Sequence, residues 1–410
     1  MAPNSRKTVE VLYACGYFVG AEVLFRMTRG AVAYEAVKYL VILFASIGMF
    51  YKGLSGRGYP YFLYLMLLIP SIFVASTTLS FDANFRTNIA FVLSGPVCLG
   101  FCALFFYDKR VTIKQVTKML FLMALPIVAN TVYIYFYNPT VRDVLSGTTS
   151  NRAASGGWGA NQVATVLGLG MFIFAARLFT KSPTMRLKIL NTTIFCAIAF
   201  RAIVTFSRGG VITAILTILA FLFIYYFTLS KKRKNNIVVI FVVFCLAMTA
   251  TWAISSNQTD GYIDLRYTNK DHLGREKKDV TTGRGELFRK EMIGFISNPF
   301  FGIGSSRAKD QRIEVEGQGV TSHSEVSRIL AEHGILGVII LVILIVKPIG
   351  YRSTSKGNYY FYAFLCFWFA TINHSSMRIA APAFIYSLTL LNVVNEKNLI
   401  HRKQLKEQEV

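Results

Sequence analysis

Three side chains stand out as able to do chemistry: Arg208, Arg284 and His323. Arg208 lies in Thr205-Phe206-Ser207-Arg208-Gly209-Gly210, between two long apolar runs. A guanidinium there is costly unless it reaches an interface or meets an anion, and the glycines beside it let a ligand approach the backbone. Arg284 follows Thr281-Thr282-Gly283 and precedes Gly285-Glu286. Its planar fork of donors suits phosphate oxygens and keeps its charge; Arg289 and Lys290 are helpers of the same kind. His323, one of five histidines, sits between Ser322 and Ser324 with Glu325 two residues on, just ahead of an apolar run. Imidazole titrates nearest neutrality and so suits proton transfer.

Taken singly, each of these has a plain structural alternative: lipid headgroups for Arg208, solvent for Arg284, packing for the histidines. Arg201 fits headgroup contact better than Arg208 does. His333 lies ten residues beyond His323, too far for the i,i+4 pairing of a helical metal site. His374, at the outer end of another apolar run, is a candidate second polar contact. No Walker-type loop, zinc spacing, nucleophile elbow or acidic metal pair stands out, so a reaction without metal or cofactor is the economical reading.

The rest of the chain must position these groups. Its 410 residues are 53% hydrophobic and 14% aromatic, with mean hydropathy +0.46. Apolar runs long enough to cross about 30 Å of hydrocarbon recur along it, and backbone in lipid must satisfy its own hydrogen bonds, so these runs are helices. The fold class is therefore an all-α polytopic membrane protein. Spans are expected at roughly 9–26, 31–51, 59–79, 87–107, 118–138, 159–179, 187–205, 210–229, 236–254, 334–350, 358–376 and 379–394, about twelve helices. Residues 1–410 read as a single integral membrane domain, with a large polar loop over 255–333 between the ninth and tenth spans and a charged tail over 395–410. Arg6 and Lys7 precede the first apolar run, but Glu22 and Arg26 follow it in place of a small-residue cleavage site, so it reads as an uncleaved first span.

The net charge of +23 does not point to nucleic acid. The long loop is nearly balanced, and the excess sits in short connections such as Asp108-Lys109-Arg110 and Lys231-Lys232-Arg233-Lys234, as the positive-inside rule requires of cytoplasmic loops. Alternate counting then puts both termini in the cytoplasm. The long loop, the 139–158 connection and the Ser207-Arg208-Gly209-Gly210 turn fall together on the outer side. Six cysteines all lie in apolar runs, with Cys98 and Cys102 one helical turn apart, so neither a disulfide framework nor a zinc site is indicated.

Together the motifs carry a resemblance. His323-Ser324, nine residues, then Gly334-Ile335-Leu336-Gly337 is similar to the His-[Asn/Ser/Gln]-x9-Gly-x-x-[Gly/Thr/Tyr] pattern of the O-antigen ligase family and its relatives, at the end of their large periplasmic loop. Ser207-Arg208-Gly209 resembles that superfamily's Ser-Arg-Gly turn. Gly283-Arg284 and Asn298-Pro299-Phe300-Phe301-Gly302-Ile303-Gly304 resemble its loop arginine and the segment after it. Arg152-Ala153-Ala154-Ser155-Gly156 with Asn161 looks like a further recurrent element. The elements run in order over about 150–340, and no solenoid period or paired halves of a transporter are visible.

The resemblance to the O-antigen ligase and Wzy-type polymerase superfamily implies a GT-C-like glycosyltransferase in the bacterial inner membrane with a periplasmic active site. It implies a glycan donor linked to undecaprenyl diphosphate, a lipid A–core or glycan acceptor, membrane lipid as a further partner and no cofactor. Arg208 and Arg284 would hold the diphosphate, whose growing charge needs preorganised cations. His323 would deprotonate or orient the acceptor hydroxyl for an inverting attack. Ser207, Asn161, Arg152, Arg289, Ser324 and His374 would support them. A ligase, a polymerase and a protein glycosyltransferase share this chemistry and differ in acceptor; the His323 spacing leans towards the ligase. The rival class is a transporter or lipid-linked glycan flippase.

Overall fold

The computed structural model describes residues 7–30, 33–138, 140–145, 147–277, 279, 281, 283–317 and 319–394. The tail expected over 395–410, together with Pro139 and Thr282, lies outside the described residues. The chain is helical almost throughout. Up to the long loop it forms α1 (Lys7–Met27), α2 (Ala36–Lys52), α3 (Tyr59–Leu68), α4 (Pro70–Thr78), α5 (Phe85–Phe106), α6 (Ile113–Tyr137), α7 (Ala160–Thr180), α8 (Met185–Val204), α9 (Arg208–Phe227) and α10 (Lys231–Gln258). The loop holds α11 (Tyr262–Tyr267), α12 (Arg284–Ser297), α13 (Arg307–Glu316) and α14 (Glu325–His333). Helices α15 (Ile335–Thr354), α16 (Phe361–Ile372) and α17 (Ala380–Ser387) follow.

Among the described residues nine helical segments are long and apolar enough to cross a membrane, counting α3 and α4 as one segment over Gly56–Thr78. Three of the expected spans are shorter: α2 has 17 residues, α16 has 12 and α17 has 8. Every residue of α17 is buried in protein. A helix enclosed by its neighbours need not match the thickness of lipid, because irregular backbone beyond its ends is satisfied by protein. The last expected span, 379–394, is also not one helix. After α17 a single 3-10 turn, Leu388–Leu390, leads into a strand, β2 (Asn392–Val394). It pairs in parallel with β1 (Arg110–Thr112), Val111 opposite Val393.

The core is built where small residues let helices close up. A side chain at Gly20 would strike the Met123 carbonyl of α6 at 2.2 Å, and one at Gly168 of α7 would meet the Gly210 carbonyl of α9 at 2.7 Å. Cys98 and Cys102 are buried and unoxidised on α5. This packing brings together connections far apart in sequence. Asn151 donates from its backbone to Thr205 O (3.1 Å), Lys277 reaches Thr148 Oγ1 (2.7 Å), and Arg142 pairs with Asp260 (3.1 Å). The 139–158 connection, the start of α9 and the long loop thus share one end of the bundle.

Candidate active site

Arg208 is the first residue of α9, which begins abruptly. Phe206, two residues earlier, is buried with φ +58°, a conformation strained for a bulky side chain. Two contacts hold it there: its N–H donates to Ile203 O (3.0 Å), and its carbonyl accepts from Nε of Arg266 (3.2 Å). Ser207 then donates from Oγ to Asn161 Oδ1 on α7 (2.8 Å), fixing the turn against a second helix. The glycines after Arg208 serve packing rather than ligand approach, which corrects the sequence reading. A Cβ at Gly209 would lie 2.5 Å from the His374 ring, and one at Gly210 would lie 2.5 Å from Ala164 of α7.

Arg284 opens α12. Gly283 precedes it at φ +82°, in the left-handed region where glycine is free of Cβ strain. Asp279 accepts from the Thr281 backbone (2.8 Å) and hydroxyl (2.6 Å) and from the Gly283 backbone, and Thr281 Oγ1 in turn accepts from Gly285 N (3.0 Å). The arginine is therefore set at a capped helix start. Burial first, and then the nearby Arg208, lowers the pKa of the Arg284 guanidinium.

A third arginine joins them. Arg266 of α11 is buried, and its backbone carbonyl accepts from Arg208 Nη1 (3.4 Å). Burial, followed by repulsion from Arg208 and Arg284, lowers its pKa to about 10. Lys277 is lowered by burial and by the same cluster, through Arg266 and Arg208. The guanidinium cluster is thus a concentration of like charge that a bound polyanion would relieve. No motif marked Arg266; the only hint was a cation among the apolar residues of Tyr262–Tyr267.

His323 shares a narrow cleft with Arg284 of this cluster, and the other walls of the cleft include Phe288, Ser324 and Asn373. Its Nδ1 is buried, and its carbonyl accepts from Ser376 N (3.2 Å). Burial, then the charges of Arg378 and Arg284, lower its pKa to about 3, so the imidazole is a free base at neutral pH. Arg378 was also missed in the sequence; it holds the segment before His323 through the carbonyls of Thr321 (3.1 Å) and Ser322 (2.7 Å).

The nine residues between Ser324 and Gly334 have a structural meaning: they are α14. Ser324 is its N-cap, accepting from Ser327 N (3.4 Å), a placement that satisfies an otherwise orphan donor. Gly334 reverses the chain at φ +61°, where a Cβ would meet Pro299 O at 2.6 Å. The Asn298–Gly304 segment docks on that reversal: Ile335 N donates to Pro299 O (2.7 Å) and Ile303 N to Ala331 O (2.9 Å). Its glycines and those of α14–α15 are spacing for one backbone knot that holds His323 in place.

The remaining expected residues divide. Asn161 touches the Arg208 turn directly, as above. His374 sits behind it, Nε2 near Thr165 Oγ1 (3.2 Å) and Nδ1 near Ala370 O (3.0 Å), so it supports α9 from the rear and both ring nitrogens are engaged. Arg152 is exposed and closes its own turn onto Gly157 O (3.0 Å), and Arg289 is exposed on α12. Arg201 does not reach headgroups: it is buried, donates to Asn138 O (2.8 Å) and lies over the Tyr135 ring (4.0 Å). Asn138, the residue that ends α6, supplies that carbonyl, which removes the need for an interface.

No curated protein matches the chain. The family model described as O-Antigen ligase matches residues 192–342. That stretch runs from α8 into α15 and contains Arg208, Arg266, Arg284 and His323, so this part of the chain is similar to the O-antigen ligase and Wzy-type polymerase superfamily, whose members are glycosyltransferase-like enzymes of O-antigen processing.

Proposed function

We propose that the protein is an O-antigen ligase. In this reading it takes a glycan from undecaprenyl diphosphate and gives it to lipid A–core on the periplasmic face of the inner membrane, on a GT-C-like scaffold of about twelve spans with both termini cytoplasmic. The observation that carries it is the convergence of Arg208, Arg266 and Arg284 from three separate elements, with Arg284 also lining the cleft that holds a neutral His323.

The chemistry follows from those groups. The acceptor oxygen attacks the anomeric carbon from the side opposite the carrier, the bond from that carbon to the diphosphate oxygen breaks, and the configuration inverts. The acceptor proton passes to His323. The diphosphate leaves with its extra charge facing guanidinium groups already in position, and such preorganised donors are worth about 3 kcal/mol each where measured. Burial is the main cause of the weak basicity of His323; the bound diphosphate offsets the added repulsion from Arg284, so the histidine gains basicity when the donor is seated. The arginines supply the charge stabilisation without a metal.

The test is the surface-glycan profile of a strain lacking the gene, with analysis of its carrier-lipid pool. Long chains held on the carrier beside bare lipid A–core support the ligase. Core capped by a single repeat shows a polymerase, and normal lipopolysaccharide with an unglycosylated protein shows a protein glycosyltransferase. Glycan trapped on the cytoplasmic face overturns glycan transfer in favour of a flippase.

A further inference from the structure

Helix α12 has an apolar stripe that nothing in the described chain covers. Phe288, Met292 and Ile296 recur every four residues and so share one face. Phe288 is 49% exposed and Ile296 73%, while the neighbouring flank of the helix buries Glu291 against Ser327 of α14 (2.5 Å). The stripe runs on into the turn after the helix, where Phe300 is 72% and Phe301 58% exposed. Arg289 edges it, and Lys290 lies on the polar face away from it. Four large apolar side chains exposed together on a water-facing segment require a partner.

The backbone around Phe300 and Phe301 says what that partner is. On one side Pro299 O accepts from Ile335 N, the first residue of α15 (2.7 Å). On the other, Ile303 O accepts from Thr78 Oγ1 (2.9 Å) and Ser305 N donates to Ser71 O (3.0 Å), both on α4. The two phenylalanines are therefore tied between the ends of two candidate spans. Each span carries its own exposed apolar stripe: Ile335, Ile339, Val342, Val346 and Ile349 on α15, and Phe62, Met66, Ile69 and Phe73 on α3–α4. On a chain that spans a membrane these outward stripes meet lipid, and Phe300 and Phe301 continue them at their boundary.

We propose that α12 and the Phe300-Phe301 turn form an in-plane membrane anchor. The apolar stripe lies in the hydrocarbon edge of the leaflet on the site side, and Arg289 lies at its headgroups, the arrangement of an interfacial amphipathic helix. Because Arg284 is the first residue of α12, the anchor fixes it at headgroup depth, where the diphosphate of a lipid-borne donor lies. This consequence, though not the anchor itself, rests on the glycan-transfer reading.

The experiment places the photoreactive p-benzoylphenylalanine singly at the positions of Phe288, Ile296 and Phe300. The full chain is reconstituted in phosphatidylethanolamine–phosphatidylglycerol vesicles, irradiated and analysed by mass spectrometry. The same probe at Val346 of α15 serves as the lipid-facing reference. Val315, 81% exposed on the charged helix α13, serves as the water-facing one. The anchor gives phospholipid adducts at Ile296 and Phe300 in yields near that of Val346, and none at Val315. Absence of lipid adducts at Ile296 and Phe300 while Val346 reacts, or adducts to a second protein chain there, overturns it. Where a probe prevents insertion, Ile293 and Phe301 replace that position. No glycan donor is present, so lipid adducts in a protein inactive in transfer would sink the transfer reading alone.

Discussion

The two ends of the helix bundle are held together by different physics. At the site end the closing contacts are buried ion pairs: Glu22 with Arg26, Glu35 with Lys38, Glu291 with Arg312, and Arg328 between Glu325 and Glu332. They join α1, α2 and the loop to the 373–379 connection, since Glu22 accepts from Ala380 N (2.6 Å) and Arg26 reaches Arg378 O (3.2 Å). At the other end β1 and β2 pair, and neutral partners bond the Asp108 side chain, Tyr351 and Asn392 each at 2.9 Å. Rings pack there as well, Phe221 stacked on Tyr360 at 5.2 Å and Tyr359 tilted against Tyr360 at 4.5 Å. Buried pairs add little net stability but are costly to break. The difference teaches that the site end favours fixed placement of charge, whereas the other end is closed by packing.

The largest break in that contrast is Arg328→Ala, which leaves two buried carboxylates without their cation and should cost about 3–5 kcal/mol of stability. Thermal unfolding in detergent measures it, and an unmoved transition would show that the carboxylates are solvated. Next come Arg208→Ala, Arg284→Ala and His323→Ala, each expected to lower glycan transfer about 10²–10³-fold while membrane insertion is kept. A variant with full transfer removes that residue from the mechanism. Arg266→Lys keeps the charge but loses the Nε bond to the Phe206 carbonyl. Transfer should fall about tenfold, the worth of one charge-assisted hydrogen bond.

A pH profile sharpens the picture further. His323 has its pKa lowered to about 3, so in the free protein the base is lost only as pH falls towards that value, well below the ordinary 6.5. The acid limb of kcat/KM should lie there, and the limb of kcat should lie higher, because bound diphosphate favours the imidazolium. Coincident limbs near 6.5 would mean that His323 is solvated in the working protein. The smallest effect is at the other end. Lys109→Ala removes bonds to the carbonyls of Lys52 (3.1 Å) and Gly53 (2.8 Å), and should change stability by no more than about 0.5 kcal/mol and leave transfer intact.

Much of the site could be read without coordinates because its chemistry sits in residue types that are costly in an apolar chain. Arg208 stood out against hydrocarbon, Arg284 and His323 through the motifs around them, and Asn161 lay in a recurrent element. Arg266 and Arg378 did not stand out, since each has a local setting no different from a solvated arginine. Only the fold brings Arg266 under Phe206 and Arg378 under the carbonyls of Thr321 and Ser322. Arg201 misled for the same reason: its partner, Asn138 O, is 63 residues away. His374 read as a polar contact, whereas its ring is what the missing Cβ of Gly209 makes room for.

By itself the sequence determined the membrane class, the approximate positions of the long spans and the polar loop between two of them. Those depend on hydrophobic length and charge, which are local sums along the chain. The tertiary structure decided that α2, α16 and α17 are shorter than spans, that the last segment ends in a strand, that Arg208, Arg266 and Arg284 converge, and that Arg284 and Arg378 act on His323. These depend on which backbones approach closely and which buried charges find a partner, and such contacts are fixed only when distant segments pack.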